Sequence, residues 1–415
     1  MKPIGALVFL LVYVWLSRRP SPRWPLDRPA IALVGASLAV LLGALSPHDA
    51  LRAIDGDTLL LLFGMMGMGA FLADDGFFDQ LEQRLLQKAR TPARLLGWIV
   101  WGAGGLSALI TNDAVCVLAA PLVLRLVARG KGLPPLPFFL ALATGANTGS
   151  VATVVGNPQN MLCASLGGLS YREHLLLLGP LAVLALGVNH ALLHYLFRDA
   201  LAQARLEPIP GSSSFPLSLS SRLTLGVFGL TALAYIAGAP LSWTAAGGFA
   251  LLLIAQRRPA AALWPRVDWP LLVFFSGLFV TVAALQHSGV PARLFQALPL
   301  LEPGTIHLGL GASARLSSLF LFGSNIVSNV PFILLVEPQM ARLPDPRMAW
   351  ELLSMASTFA GNLTLLGSVA NLIVAEAAAP AGGIGFFAYL RVGAPLALLT
   401  TALGVGWVAM VSALF

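Results

Sequence analysis

The sequence predicts an all-α polytopic membrane protein made of two inverted repeats. Each repeat is expected to hold five transmembrane helices and one re-entrant hairpin, with a broken helix at its centre. Three observations carry that expectation. The first is composition: 57% of the 415 residues are hydrophobic and 10% are charged, whereas soluble domains carry about 25% charged residues. So few charges cannot cover a water-facing surface, and the mean hydropathy of +0.81 says the same. The second is a series of apolar segments near the length a bilayer requires, about 20 residues. The third is that the polar interruptions recur in the same order in both halves.

In chain order, the first half has apolar segments at 3–17, 29–46, 57–78, 134–166 and 173–197. The second half has them at 221–238, 240–256, 268–287, 348–378 and 389–414. The N-terminal segment has no small-residue cleavage site before Arg18 and Arg19, so it is expected to be a retained helix. Segments 95–128 and 305–338 are apolar but interrupted by polar residues, as expected of hairpins that enter and leave on one face. Residues 1–197 form repeat 1 and residues 221–415 repeat 2. Between them, 198–220 contains Pro210, Gly211 and a serine run, and is expected to be a cytoplasmic linker.

The net charge of +7 has a simple origin. Arg18, Arg19, Arg23 and Arg28 crowd the first loop, and alternation from a cytoplasmic first loop puts most other Lys and Arg on the same side. That pattern explains the basic balance without nucleic acid. Asp55, Gly64 and Gly76 align with Asp268, Gly277 and Gly289 at one constant offset. An odd number of spans per half then turns the second half upside down, an architecture that places a site near mid-membrane.

The polar motifs suggest where that site lies. Thr111-Asn112-Asp113 interrupts the first hairpin, and Ser328-Asn329-Val330-Pro331 the second. Unsatisfied polar groups are expensive in hydrocarbon, but these residues cap helix N-termini well. A half-helix starting near Asn112 would direct its positive end at the site. In the span that follows, Gly156-Asn157-Pro158-Gln159-Asn160 is expected to break the helix, because Pro158 removes a backbone donor. The exposed carbonyls would suit Na+, and Asn157 and Asn160 can add amide groups. A merely kinked helix with interhelical hydrogen bonds is the alternative. Asn362, Thr364, Gly367, Ser368 and Asn371 are the second-half counterpart, without a proline and so with a softer break expected.

The substrate-binding candidates are Asn112, Asp113, Asn157, Pro158, Asn160, Ser328, Asn329, Val330 and Asn371. The cation candidates are Thr111, Asn112, Asp113, Gly156, Ser328, Asn329, Asn362, Gly367 and Ser368. Asp113 is the one acid placed deep in the bundle, either as a proton or cation site or as a structural partner, for instance of Arg315. Arg315 would attract an anion or snorkel to the interface. Cys116 and Cys163 suit a soft metalloid as thiolates but more often fill space. His190 and His194 share a helix face without a third ligand. Walker A, Gly-x-Ser-x-Gly and His-Glu-x-x-His patterns are absent, so neither ATP-driven pumping nor a familiar intramembrane hydrolase is expected. No cofactor is expected beyond Na+ as a coupling ion.

These residues resemble the ion transporter superfamily of arsenite permeases, NhaD-type Na+/H+ antiporters and divalent-anion/Na+ symporters. Asn112-Asp113 with residues 114–121 looks like the first hairpin of the arsenite-permease branch, and Ser328-Asn329-Val330-Pro331 like its second. Residues 156–160 are similar to the Gly-Thr-Pro-Pro-Asn segment of the dicarboxylate symporters. The resemblance implies a homodimer in a bacterial inner membrane, with a scaffold domain and a transport domain that moves as an elevator. It implies one cation held by Thr111, Asn112 and the Gly156 region, and another by Ser328, Asn329, Gly367 and Ser368. The symporters carry threonine where this chain has Asp113 and Val330. A carboxylate there repels a dicarboxylate, so a proton-coupled cycle or a neutral metalloid acid suits it better. The expected function is secondary active transport of a small anion on an H+ or Na+ gradient. Arsenite or antimonite efflux and Na+/H+ antiport are the alternatives within the class; a passive channel or an intramembrane enzyme would be a different class.

Overall fold

A computed structural model describes residues 3–16, 26–206, 217–302 and 304–412. Arg18, Arg19, Arg23 and residues 207–216 of the expected linker lie outside the described residues. The first half contains α1 (Ile4–Leu16), α2 (Arg28–Leu41), α3 (Pro47–Arg52), α4 (Gly56–Asp74), α5 (Phe77–Lys88), α6 (Pro92–Ser107), α7 (Asn112–Ala128), α8 (Pro135–Ser150), α9 (Pro158–Gly167) and α10 (Tyr171–Gln203). The second contains α11 (Leu219–Ile236), α12 (Leu241–Gln256), α13 (Trp269–His287), α14 (Val290–Ala297), α15 (Leu310–Val327), α16 (Asn329–Met340), α17 (Pro346–Ala360), α18 (Val369–Ala377) and α19 (Phe386–Ser412). Apart from α3, the first-half order recurs in the second. A short antiparallel pairing of 130–131 with 205–206 ties the loop after α7 to the end of α10.

The caps that start α4 and α13 explain why these helices begin where they do. The Asp55 side chain accepts from the Asp57 and Thr58 backbone N–H groups, and Asp268 accepts from Leu271. Gly76 and Gly289 follow these helices at φ 71° and 75°, a left-handed turn that glycine adopts without a Cβ clash. Each glycine turns the chain into a short amphipathic helix, α5 or α14. Neither helix, nor α3, is among the elements expected from hydropathy, because all are too short and too polar to resemble a span. α5 is fastened to α7 by buried Glu82, which bonds Arg125 at 2.7 Å.

Among the described residues, five helices are long and apolar enough to cross a bilayer unaided: α4, α10, α11, α13 and α19. The 33 residues of α10 carry it past the boundary expected at 197, about 50 Å at 1.5 Å per residue. The segments at 134–166 and 348–378 are not single helices. Each is a pair of half-helices, α8 with α9 and α17 with α18, meeting at an extended break. With 16 and 10 residues, α8 and α9 reach only about 24 and 15 Å, each less than the roughly 30 Å of a bilayer core.

The halves exchange partners. α4 packs on α12 of the other half, and α13 packs on α2. The contact points are equivalent glycines. A Cβ on Gly64 would stand 2.5 Å from the Ala245 carbonyl carbon, and one on Gly277 would stand 2.6 Å from that of Ala32. Small residues let helix backbones approach this closely in a membrane, where packing drives association. The half-helices cross over as well: α9 packs on α16 and α17, and α18 on α7 and α8.

Candidate functional site

The two breaks have the same hydrogen-bond design. The Asn160 side chain donates to the carbonyls of Ser150 and Thr153, both at 3.0 Å. The Asn371 side chain donates to those of Gly361 and Thr364, at 2.7 and 3.1 Å. Each amide thus bridges two carbonyls at the break, and only the second of each pair, Thr153 or Thr364, also has a backbone donor, from Gly156 or Gly367; the bridge helps make the break tolerable in hydrocarbon. Pro158 is the first residue of α9, as expected from sequence. The softer second break does not appear, however. Ser368 (φ −145°, ψ 144°) is as extended as Asn157 (φ −157°, ψ 162°) without any proline. The asparagine three residues after each N-cap, rather than the proline, is the shared feature.

Contacts across the two halves are reciprocal. Asn157 Nδ2 donates to Thr358 Oγ1 at 3.0 Å, and Thr358 Oγ1 donates to Asn160 Oδ1 at 2.8 Å. The matching set has Ser368 Oγ donating to Asn147 Oδ1 at 3.1 Å and Asn147 Nδ2 donating to Asn371 Oδ1 at 2.9 Å. Asn147 and Thr358 therefore occupy equivalent places. Asn147 does more: its Oδ1 also accepts from Asn112 Nδ2 at 2.8 Å, and its Nδ2 also donates to Asn362 Oδ1 at 3.2 Å. One buried amide thus joins the first hairpin tip, α8, the second break and the N-cap of α18. Asn362 continues the network to Thr148, and Asn189 on α10 reaches Thr148 and Thr144.

The hairpin tips close on this centre. Thr111 caps α7, its hydroxyl accepting from the Ala114 backbone N–H. Thr153, in the first break, donates to the Ala108 carbonyl at 2.8 Å. Its counterpart Thr364 donates to Asn325 Oδ1 at 3.0 Å, so the same threonine holds each tip to its break. Asn329 Nδ2 donates to the Gly367 carbonyl at 3.3 Å. Val330 is buried beside it. Gly156 leaves no room for a side chain, since a Cβ would lie 2.1 Å from the Ser150 oxygen. The half-buried Asp113 carboxylate accepts from the Ala370 backbone N–H at the start of α18, where the helix dipole favours negative charge.

The structure thus brings Asn112, Asp113, Asn147, Asn362, Ser368 and Asn371 together, with Asn157 and Asn160 adjoining through Thr358. It removes two expectations. Arg315 is no partner of Asp113; it is bound to Glu302 at 2.9 Å on the surface. Asp113 is not the one deep acid either, because Glu351 on α17 is 3% exposed and pairs with buried His174. Cys116 and Cys163 are buried free thiols, and no metal-ligating cluster occurs among the described residues. His190 accepts from Trp101 Nε1 at 3.3 Å. Sequence reasoning missed Asn147 and Thr358 as hubs. Their signal was an amide or hydroxyl in the last turn of an apolar helix before a break.

Half-helices and hairpin tips gathered around a buried amide cluster define the chain as a multi-pass membrane transporter. It belongs to the citrate transporter family, CitMHS, whose profile matches residues 11–360. The chain is 31% identical to the silicon efflux transporter LSI3 of Oryza sativa subsp. japonica, over 97% of both chains. It is 26% identical to the putative transporter arsB of Dictyostelium discoideum, over 97% of this chain and 91% of that one. It is 29% identical to the Escherichia coli inner membrane protein YbiR, over 83% and 85%. Among solved structures, the YdaH transporter of Alcanivorax borkumensis shares the fold, with a TM-score of 0.59 over 99% and 98% of the chains at 15% identity.

Proposed function

We propose that the chain is a secondary active transporter that moves a small oxygen-rich anion, or its neutral acid, on an H+ or Na+ gradient. The carrying observation is the Asn147 cluster. It offers amide and hydroxyl groups from both halves, and among the described residues no Lys, Arg or His hydrogen-bonds to it. Asp113 already occupies the anion-favouring N-terminus of α18, so a dianion would meet repulsion there. A neutral or singly charged oxyacid would replace hydrogen bonds one for one. Silicon efflux and arsB relatives favour a metalloid hydroxide moving outward as the specific cargo.

The second hairpin tip is the cation candidate. Ser328 holds φ 75°, ψ 149°, a strained region for a residue with a Cβ. Asn329 Oδ1 is buried with no partner among the described residues. An oxygen held ready beside the Gly367 carbonyl suits Na+. The reciprocal contacts favour inverted halves. The reading also includes movement of hairpins and half-helices as an elevator against the other spans, in a homodimer in a bacterial inner membrane.

Proteoliposomes offered silicic acid, arsenite, phosphate and citrate, with pH and Na+ gradients imposed separately, test the proposal. A single small oxyacid should move against its gradient, and Asn112→Ala and Asn329→Ala should each abolish that movement. Normal transport in both variants would sink the site, and gradient-independent leakage of every solute would point to a channel.

A further inference from the structure

His174 on α10 and Glu351 on α17 are 0% and 3% exposed. His174 Nδ1 lies 2.7 Å from Glu351 Oε2, and His174 Nε2 lies 3.2 Å from the carbonyl oxygen of Val151. Val151 is the C-cap of α8, where the first break begins. A carbonyl oxygen only accepts, and so does a carboxylate; a neutral imidazole has one N–H. Two ring nitrogens facing two acceptors therefore require one proton beyond neutral histidine plus carboxylate. That proton sits either on the ring, as imidazolium, or on Glu351. In both cases the pair has net charge zero, and loss of the proton leaves it at −1 with one contact turned repulsive.

Among the described residues, Arg347 is the cation that interacts with Glu351, and it lies at the exposed end. From α10 come Tyr171, Arg172 and Glu173, from α17 Arg347, and from α9 Cys163. Arg347 is committed to Glu173 in an exposed ion pair. Arg347 lies one turn before Glu351 and Glu173 lies next to His174, so an exposed ion pair stands directly above the buried one. Below it, Glu351, Ser354 and Thr358 share one face of α17 at helical spacing. Ser354 and Thr358 both donate to Asn160 Oδ1 at 2.8 Å. A change at Glu351 thus reaches the asparagine that bridges the first break. The equivalent second-half arrangement does not exist, because the position matching Glu351 is Leu140.

We infer, resting on the secondary-transport reading above, that His174 and Glu351 form a proton-binding site that couples H+ to transport. One proton enters from the side of the Arg347–Glu173 pair and locks α10 and α17 onto the end of α8. Its departure opens the His174–Val151–Glu351 contacts and frees α17 to shift against Asn160.

Reconstituted full-length wild type, His174→Gln and Glu351→Gln separate the outcomes. In infrared difference spectra taken across a pH titration without substrate, the wild type should show a carboxyl or imidazolium change that both variants lack. Oxyacid counterflow at equal pH should persist in the variants, while accumulation driven by a pH gradient falls by about tenfold or more. Unchanged infrared bands, full pH-driven accumulation in Glu351→Gln, or loss of counterflow with normal melting would each overturn the inference. Wild-type vesicles that move no oxyacid would overturn the transport reading and this inference together, a result distinct from those three.

Discussion

The two hairpin tips are built from matching residues, yet they differ in how fully their polar groups are engaged. At the first tip Thr111 is unstrained at φ −67° and caps α7, Asn112 bonds Asn147, and Asp113 is held by the Ala370 N–H. At the second, Ser328 sits at φ 75° with no side-chain cap and Asn329 Oδ1 has no partner among the described residues, whereas the matching hydroxyls of Ser107 and Ser324 lack one at both tips. Buried polar groups normally find partners, and exceptions call for an explanation. At the first tip Thr111, Asn112 and Asp113 are all engaged. At the second, Ser328 is strained and Asn329 Oδ1 is unsatisfied, as the proposed cation site requires.

The largest test of that difference is at the hubs. Asn147→Ala strands Asn112, Ser368, Asn362 and Asn371, each at about 1–3 kcal/mol, so melting in detergent should drop steeply and transport should vanish. Thr358→Ala, at the equivalent place, strands fewer groups and should cost less than half as much; equal losses would break the claimed asymmetry. A smaller effect is expected at Ser328→Gly. Relief of the left-handed strain should stabilise the protein by about 1 kcal/mol, while removal of the hydroxyl weakens any Na+ stimulation of transport. If the melting point falls instead, the second tip is not strained in the way described. The smallest effect belongs to Pro158→Ala. Because Ser368 makes the same break without a ring, the change should move stability by less than about 1 kcal/mol, as read by thermal melting, and leave transport near wild type. A large loss would restore the proline as the cause of the break.

Much of this was legible in the sequence. Both hairpins, both breaks and the equivalence of Gly64 with Gly277 follow from apolar length, polar interruption and a constant offset. The short helices α5 and α14 were not, because an amphipathic helix of that length has no spanning signature. The hub role of Asn147 was not either: hydropathy marks where polar residues occur, but not which one sits where two halves cross. His174 and Glu351 were illegible for a related reason. Each lies within two turns of a helix start, beside charged residues, where an interfacial position is the natural expectation. Only the meeting of their side chains with each other and with the end of α8 buries them.

The reciprocal seating of Gly64 on Ala245 and Gly277 on Ala32 bears on how the chain is made. Synthesis delivers α4 to the bilayer long before α12, so α4 must wait in lipid with its glycine face uncovered. α2 likewise waits for α13. The first half is thus a held intermediate rather than a finished unit, and these two seats close only when α12 and α13 have entered the membrane.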